Sequence, residues 1–383
     1  MRRLSLVLVV AMALVSRATP AQQAAADGPY KVLMRAKVGG EGGTDYIYAD
    51  PTGRRLYIPR GATRAVPATD STPERAASPA RITIFDLETL KPLGEILTAP
   101  NSQGNGAAVD PKSGHGFTSS RPALTMFDTK SMQLLKSIPI DSGVGPDGIY
   151  FDSFNDRVYV FSHPTKDATV IDAKDGTVLG RIDLGGVPEQ AVADGKGTLY
   201  VVMQDAAGSV AVVDVKTMKT TAHYPFGENG GCNGLALDVK NRVLFAACAR
   251  TTSAAPPAAG AAPVPPQPMM VILSAVDGKI LTKLPLAGSS DGAVFNPATM
   301  EAFSSHSNGT MTIVKEKSPT SFEVEQTLQT MNGARTLTLD TKTNHLFVMS
   351  AERAPAPPPP PGGGRGGFGA MIPGSFTILM IGK

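Results

Sequence analysis

Two cysteines, five histidines and no tryptophan stand in 383 residues, and only 18% of the residues are charged. Zinc-spaced Cys/His sets, HExxH, a Walker-type phosphate loop and the GxSxG turn of a nucleophilic serine are all missing, so the chain carries no recognised catalytic motif. Beyond the first 15 residues no apolar run approaches the roughly 18 to 20 needed to span a bilayer as a helix. A surplus of one charge is missing too, with 36 Lys and Arg against 33 Asp and Glu. Arg2, Arg3 and Arg17 lie in a segment expected to be removed, which leaves the remainder balanced. Nucleic-acid binding, which needs a clustered basic surface, has no warrant here.

What is abundant is Gly (40) and Pro (32), a balance that favours many short strands and turns over long helices. The chain opens with a basic Met1-Arg2-Arg3, an apolar stretch from Leu4 to Val15 and a small-residue run from Ser16 to Ala21. That order reads as a signal peptide over residues 1–21, followed by a flexible segment, 22–29. The expected location is periplasmic or secreted. With no cysteine before Cys232 and no later apolar span, no lipid anchor or transmembrane segment is expected.

An internal repeat sets the fold. An Asp or Asn closes a short apolar run at Asp50, Asp110, Asp152, Asp194, Asp238, Asn296 and Asp340. Two of the intervals are long, and each contains a Pro- and Ala-rich insertion, residues 62–80 and 251–267. With these set aside, the period is about 41 to 44 residues. An aromatic follows seven residues after the marker at Tyr57, Phe117, Tyr159, Phe245, Phe303 and Phe347, and six after at Tyr200. Each unit reads as four strands, which at this period is the signature of a β-propeller blade. Seven units predict an all-β, seven-bladed propeller of four-stranded antiparallel blades over residues 30–383.

The absence of Trp removes the WD40 signature. The triplets Leu56-Tyr57-Ile58, Val158-Tyr159-Val160 and Leu199-Tyr200-Val201, each after an Asp-containing turn, instead resemble YVTN-type repeats of the YncE-like family of exported bacterial β-propellers. The resemblance covers nearly the whole chain after the leader and implies a fold more than an activity. In the seventh unit the chain supplies only three strands, Thr336 to Leu339, His345 to Ser350 and Ser375 to Ile381. Tyr30 to Val38 is expected to supply the fourth and so remove the open edges of an incomplete ring.

The repeat also serves as a site map. Five residues before each marker stand Asp45, Asn105, Asp147, Glu189, Asn233, Asp291 and Arg335, one per blade, a ring expected at one channel mouth. Oxygen-rich side chains there suit a divalent cation or a hydroxyl-rich ligand, although Asp and Asn also cap turns. At the ends of the second strands come Arg60, Arg121, His163, Gln204, Arg250, His306 and Glu352. Antiparallel pairing is expected to set Asp147 beside His163 and Asp291 beside His306, two carboxylate–imidazole pairs that serve either as acid/base groups or as rim ion pairs. His115, His345 and His223 fall away from this mouth.

All three insertions, 62–80, 251–267 and 352–374, follow second strands and therefore overhang the same face. Their low-complexity composition reads as surface loops. Cys232 and Cys248 flank one hairpin and are expected to form a disulfide in an oxidising compartment. Two functions fit these features. One is a monomeric, non-catalytic binding or scaffold protein that uses this face for a protein, glycan or small ligand and requires no cofactor. The other is a hydrolase or isomerase resembling propeller lactonases, with a cation in the mouth and His163 with Asp147, or His306 with Asp291, as acid/base pairs. A quinoprotein-like oxidoreductase is a third class, but no cofactor fingerprint supports it.

Overall fold

The turn at each repeat Asp explains why the sequence period is so regular. In all seven units the marker's Oδ1 accepts the backbone N–H two residues on: Asp50 from Thr52, Asp110 from Lys112, Asp152 from Phe154, Asp194 from Lys196, Asp238 from Lys240, Asn296 from Ala298 and Asp340 from Lys342, at 2.8 to 3.0 Å. Each carboxylate or amide thus fixes the turn between the first and second strands of its blade. Four residues after the marker the backbone turns left-handed at Arg54, Gly114, Asp156, Arg242, Met300 and Asn344, with φ between 54° and 75°. The fourth turn is one residue shorter, and Gly195 (φ 68°) and Gly197 (φ 114°) take positive angles. That deletion is why Tyr200, alone among the aromatics, comes six residues after its marker.

The computed structural model describes residues 28–68, 74–99, 103–120, 123–140, 145–251, 267–355, 369 and 371–383. The expected signal peptide, residues 22–27, Arg121 and the middles of the three insertions lie outside these residues. Seven separate four-stranded antiparallel sheets form the blades of a β-propeller, and the described residues contain no helix. Among the described residues no helix is long and apolar enough to cross a membrane.

Blade three illustrates the common plan. Its strands are Pro146–Asp152, Arg157–Ser162, Asp167–Asp172 and Val178–Asp183, in that order from the channel outwards. The two middle strands are buried along almost their full length because neighbouring blades cover both of their faces, whereas the outer strand is mostly exposed. This is why RVYVFS and DATVID read as continuous apolar runs rather than alternations. The core accordingly lies between blades. Tyr159, Val201 and Val213 pack together from blades three and four, and Phe245, Ile272 and Val314 from blades five and six.

Blade seven closes the ring as expected. Leu337–Asp340, His345–Ser350 and Thr377–Gly382 come from the C-terminal end, and Lys31–Lys37 pairs antiparallel with Thr377–Gly382 as the outermost strand. A polar clasp supports the junction. The Tyr30 hydroxyl donates to Glu301 Oε2, Lys383 Nζ lies 2.8 Å from Glu301 Oε1, and Tyr30 stacks edge-on against Phe303 with centroids 5.1 Å apart. Cys232 and Cys248 sit opposite each other on the first two strands of blade five and are bridged. A structural disulfide points to a location outside the reducing cytoplasm.

The insertion over 62–80 is more ordered at its base than a free loop. Thr63 pairs with Ser78 and Val66 with Arg75 in antiparallel bridges, and Arg75 lies 3.6 Å from Glu41. The third insertion is likewise tied, through a bridge between Arg353 and Met371.

Candidate functional site

Six of the seven residues that stand five before the repeat markers line one end of the channel. Asp45, Asp147, Glu189, Asn233, Asp291 and Arg335, with His163, Gln204 and Ser307, line a bowl of about 690 Å³. Their side chains are linked into one chain that passes through six blades. His163 Nε2 lies 3.1 Å from Asp147 Oδ2 and 3.2 Å from Glu189 Oε1. Gln204 donates to Glu189 Oε1 (2.6 Å) and Asn233 Oδ1 (3.3 Å), and Asn233 donates to Asp291 Oδ1 (2.5 Å). Arg335 completes the run, 2.6 Å from Asp291 Oδ2 and 3.4 Å from Asp45 Oδ1.

Blade two is the exception. Asn105 is buried, and its Nδ2 donates to the Pro146 carbonyl, so it ties blade two to blade three rather than joining the chain.

Two of the sequence expectations need correction. His306 does not meet Asp291, whose oxygens are occupied by Asn233 and Arg335. It is fully buried, its Nδ1 is 2.9 Å from Thr310 Oγ1, and burial pulls it down to about 3, so it stays neutral. Arg60 is also withdrawn from the mouth. It is buried with its guanidinium 3.7 Å over the Phe376 ring and its Nε donating to the Gly42 carbonyl, and burial beside Arg81 lowers it to about 9.

Both errors have one cause, a single-residue offset. His163 stands 11 residues after its marker, whereas Arg60 and His306 stand 10 after theirs. His306 is the strand partner of Ser290, while in blade three the corresponding partner is Ser162 and His163 lies one residue further on. Because strand side chains alternate faces, one step moves a side chain from the mouth into the blade. The true counterparts of His163 are Ala249 and Ser307 at 11 residues, and Gln204 at 10 in the shortened unit; all three line the bowl.

Two functional-looking residues escaped the sequence reading. The position after each ring residue reads Tyr46, Gly106, Gly148, Gln190, Gly234, Gly292 and Thr336. Glycine is common there because the inner strands approach closely: a Cβ on Gly234 would lie 2.7 Å from the Gly292 carbonyl carbon. Tyr46 and Gln190 are the large exceptions, and both reach across the channel. The Tyr46 hydroxyl donates to Glu189 Oε2 at 2.9 Å, from blade one to blade four. Gln190 Oε1 accepts from the Leu235 and Ala293 N–H groups and its Nε2 donates to the Ala293 carbonyl, spanning blades four to six. Both side chains also line the channel beneath the bowl.

The electrostatics follow from crowding. Four carboxylates face one Arg and one His. Burial, then repulsion from Asp291, holds Asp45 well above the usual carboxylate range, although Arg335 opposes this. Burial also raises Glu189, against the hydrogen bond from His163 and with Asp147 adding to the rise. Tyr46 is raised by burial and by Glu189. Burial acts to lower Arg335, but Asp291 and Asp45 hold it above its ordinary value. A cation or a hydrogen-bond donor entering the bowl relieves this repulsion; an anion adds to it. Asp147, His163 and Glu189 offer donor atoms within 4.8 Å of one another, a spacing compatible with one shared metal ion.

No protein-family model matches the chain, and no curated protein matches it in sequence. Solved structures do. A structure described as Kuenenia stuttgartiensis hydrazine synthase matches over 80% of this chain and 92% of its own, with a TM-score of 0.64 and 15% identity. The Neurospora crassa Pan2 WD40 domain matches over 92% and 95% at a TM-score of 0.61 and 12% identity. A chain of a mitotic checkpoint complex matches over 90% and 95%, with a TM-score of 0.62 and 8% identity. Likeness at such identities extends to the propeller fold alone.

Proposed function

We propose that this chain is an exported, non-catalytic binding protein whose acidic mouth takes a small cationic or hydroxyl-rich ligand. The observation that carries this reading is the bowl itself: about 690 Å³, with four carboxylates, one Arg and one His held in a continuous polar chain on a rigid ring. Such a volume suits a small molecule, and convergent polar groups supply its orientation. The disulfide supports export, and the YVTN-like triplets support kinship with the YncE-like exported propellers. The insertions on the same face extend the surface for a protein or glycan partner.

A second reading has a specific observation in its favour. The Asp147, His163 and Glu189 cluster would hold a divalent cation, which would polarise a bound carbonyl or water for a lactonase-like hydrolysis or isomerisation. Calorimetric titration with spermidine, calcium, manganese and zinc separates the readings. Under the first, Asp147→Asn and Asp291→Asn weaken spermidine binding by about tenfold or more without lowering the melting temperature. Under the second, His163→Ala abolishes stoichiometric metal binding and leaves spermidine bound. Lost stability with unchanged affinity in the Asp variants would mark the ring as structural and overturn both.

A further inference from the structure

Arg60, which ends the second strand of blade one, is 1% exposed and still charged at pH 7, since burial brings it down only to about 9. Its Nε donates to the Gly42 carbonyl and its guanidinium lies over Phe376, but Nη2 has no hydrogen-bond partner among the described residues. Arg81 stands directly opposite on the neighbouring strand, so like charges face each other across the ladder. The nearby carboxylates are already taken. Arg81 Nε lies 3.0 Å from Glu95, and Glu41, the carboxylate that favours the charge on Arg60, lies 3.6 Å from Arg75. The count leaves Arg60 over, and a buried cation without a counter-ion is strongly unfavourable.

The two guanidiniums meet beside Gly40. A Cβ placed on that residue would stand 3.1 Å from Arg81 Nη2 and 3.8 and 3.9 Å from Arg60 Nη1 and Nη2, its three nearest heavy atoms outside the adjoining chain. The missing side chain therefore leaves a nook walled by guanidinium nitrogens. Arg81 Nη2 spends one hydrogen on the Glu41 carbonyl at 3.1 Å and keeps a second. Gly40 is itself exposed, so the loop over residues 39–43 stands between this nook and solvent. Four of its five residues are glycine, which gives that cover the backbone freedom to admit an ion. Thr44 Oγ1, at the end of the same loop, is likewise shielded and without a partner among the described residues.

We infer that Arg60 and Arg81, beneath the glycine loop, bind one tetrahedral oxyanion of the phosphate or sulfate type. Such an ion brings several acceptor oxygens to donors that converge from two strands, and its charge supplies what Arg60 lacks. Neither arginine lines the acidic bowl, so this site does not depend on what binds there.

The test is calorimetric titration of the full chain with inorganic phosphate and with sulfate, at constant low ionic strength. One ion per chain should bind with a Kd below about 1 mM, and saturating phosphate should raise the parent's melting temperature. Arg60→Met, which keeps an apolar stem against Phe376 but removes the charge, should lose about tenfold or more in affinity and most of the phosphate-induced shift. Should that variant fail to fold, Arg60→Lys keeps the charge without the planar fork and should bind several-fold more weakly. Glycerol 2-phosphate separates the two sources of such an oxyanion: weaker binding than inorganic phosphate marks a free ion, and tighter binding marks the phosphate of an organic ligand. Absence of stoichiometric binding of either inorganic ion to the parent, or parental affinity in the Arg60 variants, would overturn the proposal. Loss of phosphate binding in Arg335→Gln would place the ion in the bowl and overturn it equally.

Discussion

Lowering the pH from 7 to 5 should destabilise the fold through His306. The ring is fully buried; Thr310 turns its hydroxyl towards Asn308 Oδ1 at 2.7 Å, so His306 Nδ1–H donates to Thr310 and the bare Nε2 has no partner among the described residues. Burial lowers its pKa from the ordinary 6.5 to about 3. Between those values the unfolded chain binds a proton that the folded chain refuses, so stability is lost as the pH falls through 6.5 and the loss saturates near 3. Linkage gives about 0.2 kcal/mol lost at pH 7 and about 2 kcal/mol at pH 5. The figure at pH 5 barely depends on how far the folded value is lowered, because any value below about 4 leaves the native ring neutral there. Urea denaturation at both pH values should be compared for the parent and His306→Asn, whose amide offers Thr310 either a donor or an acceptor. The parent should lose about 2 kcal/mol more than the variant between pH 7 and pH 5, with matching m-values. Equal losses would refute the argument, whatever the variant's stability at pH 7.

Two further outcomes concern closure of chain and ring. Thiol titration of the denatured, unreduced protein should find no free thiol, and Cys232→Ser with Cys248→Ser should lower stability by roughly 3 kcal/mol, the chain-entropy value for a loop of this length; two titratable thiols per chain would contradict the bridge. Glu301, which burial acts to raise, is held down at about 2 chiefly by Lys383, with Thr299 and Tyr30 assisting; its contribution is therefore present above pH 4.5 and is lost as the pH falls towards 2. Glu301→Gln should lower the melting temperature at pH 7 and converge on the parent near pH 2, whereas an identical gap at both pH values would show that the clasp acts through packing instead of charge.

Much of the architecture was legible in the sequence because its determinants are local and repeated. Each marker Asp or Asn caps its own turn, each aromatic fills the same slot between blades, and the spacing between them is set by strand and turn lengths that hardly vary. Even the shortened fourth unit announced itself through Tyr200. The missing fourth strand of the last unit was legible for a related reason: a ring leaves no tolerable open edge, and Lys31–Lys37 was the only segment left to fill it. The pairing of Cys232 with Cys248 likewise followed from a single hairpin.

The contents of the channel were decided by the tertiary structure. Whether a histidine reaches the bowl or is buried in its blade turns on one residue of strand register, which separates His163, one residue past its second strand, from His306, the last residue of its own. That Tyr46 meets Glu189 and Gln190 meets Ala293 depends on blades one, four and six facing one another across the axis, contacts between segments 103 to 143 residues apart. Local propensity carries no information about such partners. The charge state of Asp45 and Glu189 belongs to the same level, since it arises from burial and from carboxylates that only ring closure brings together.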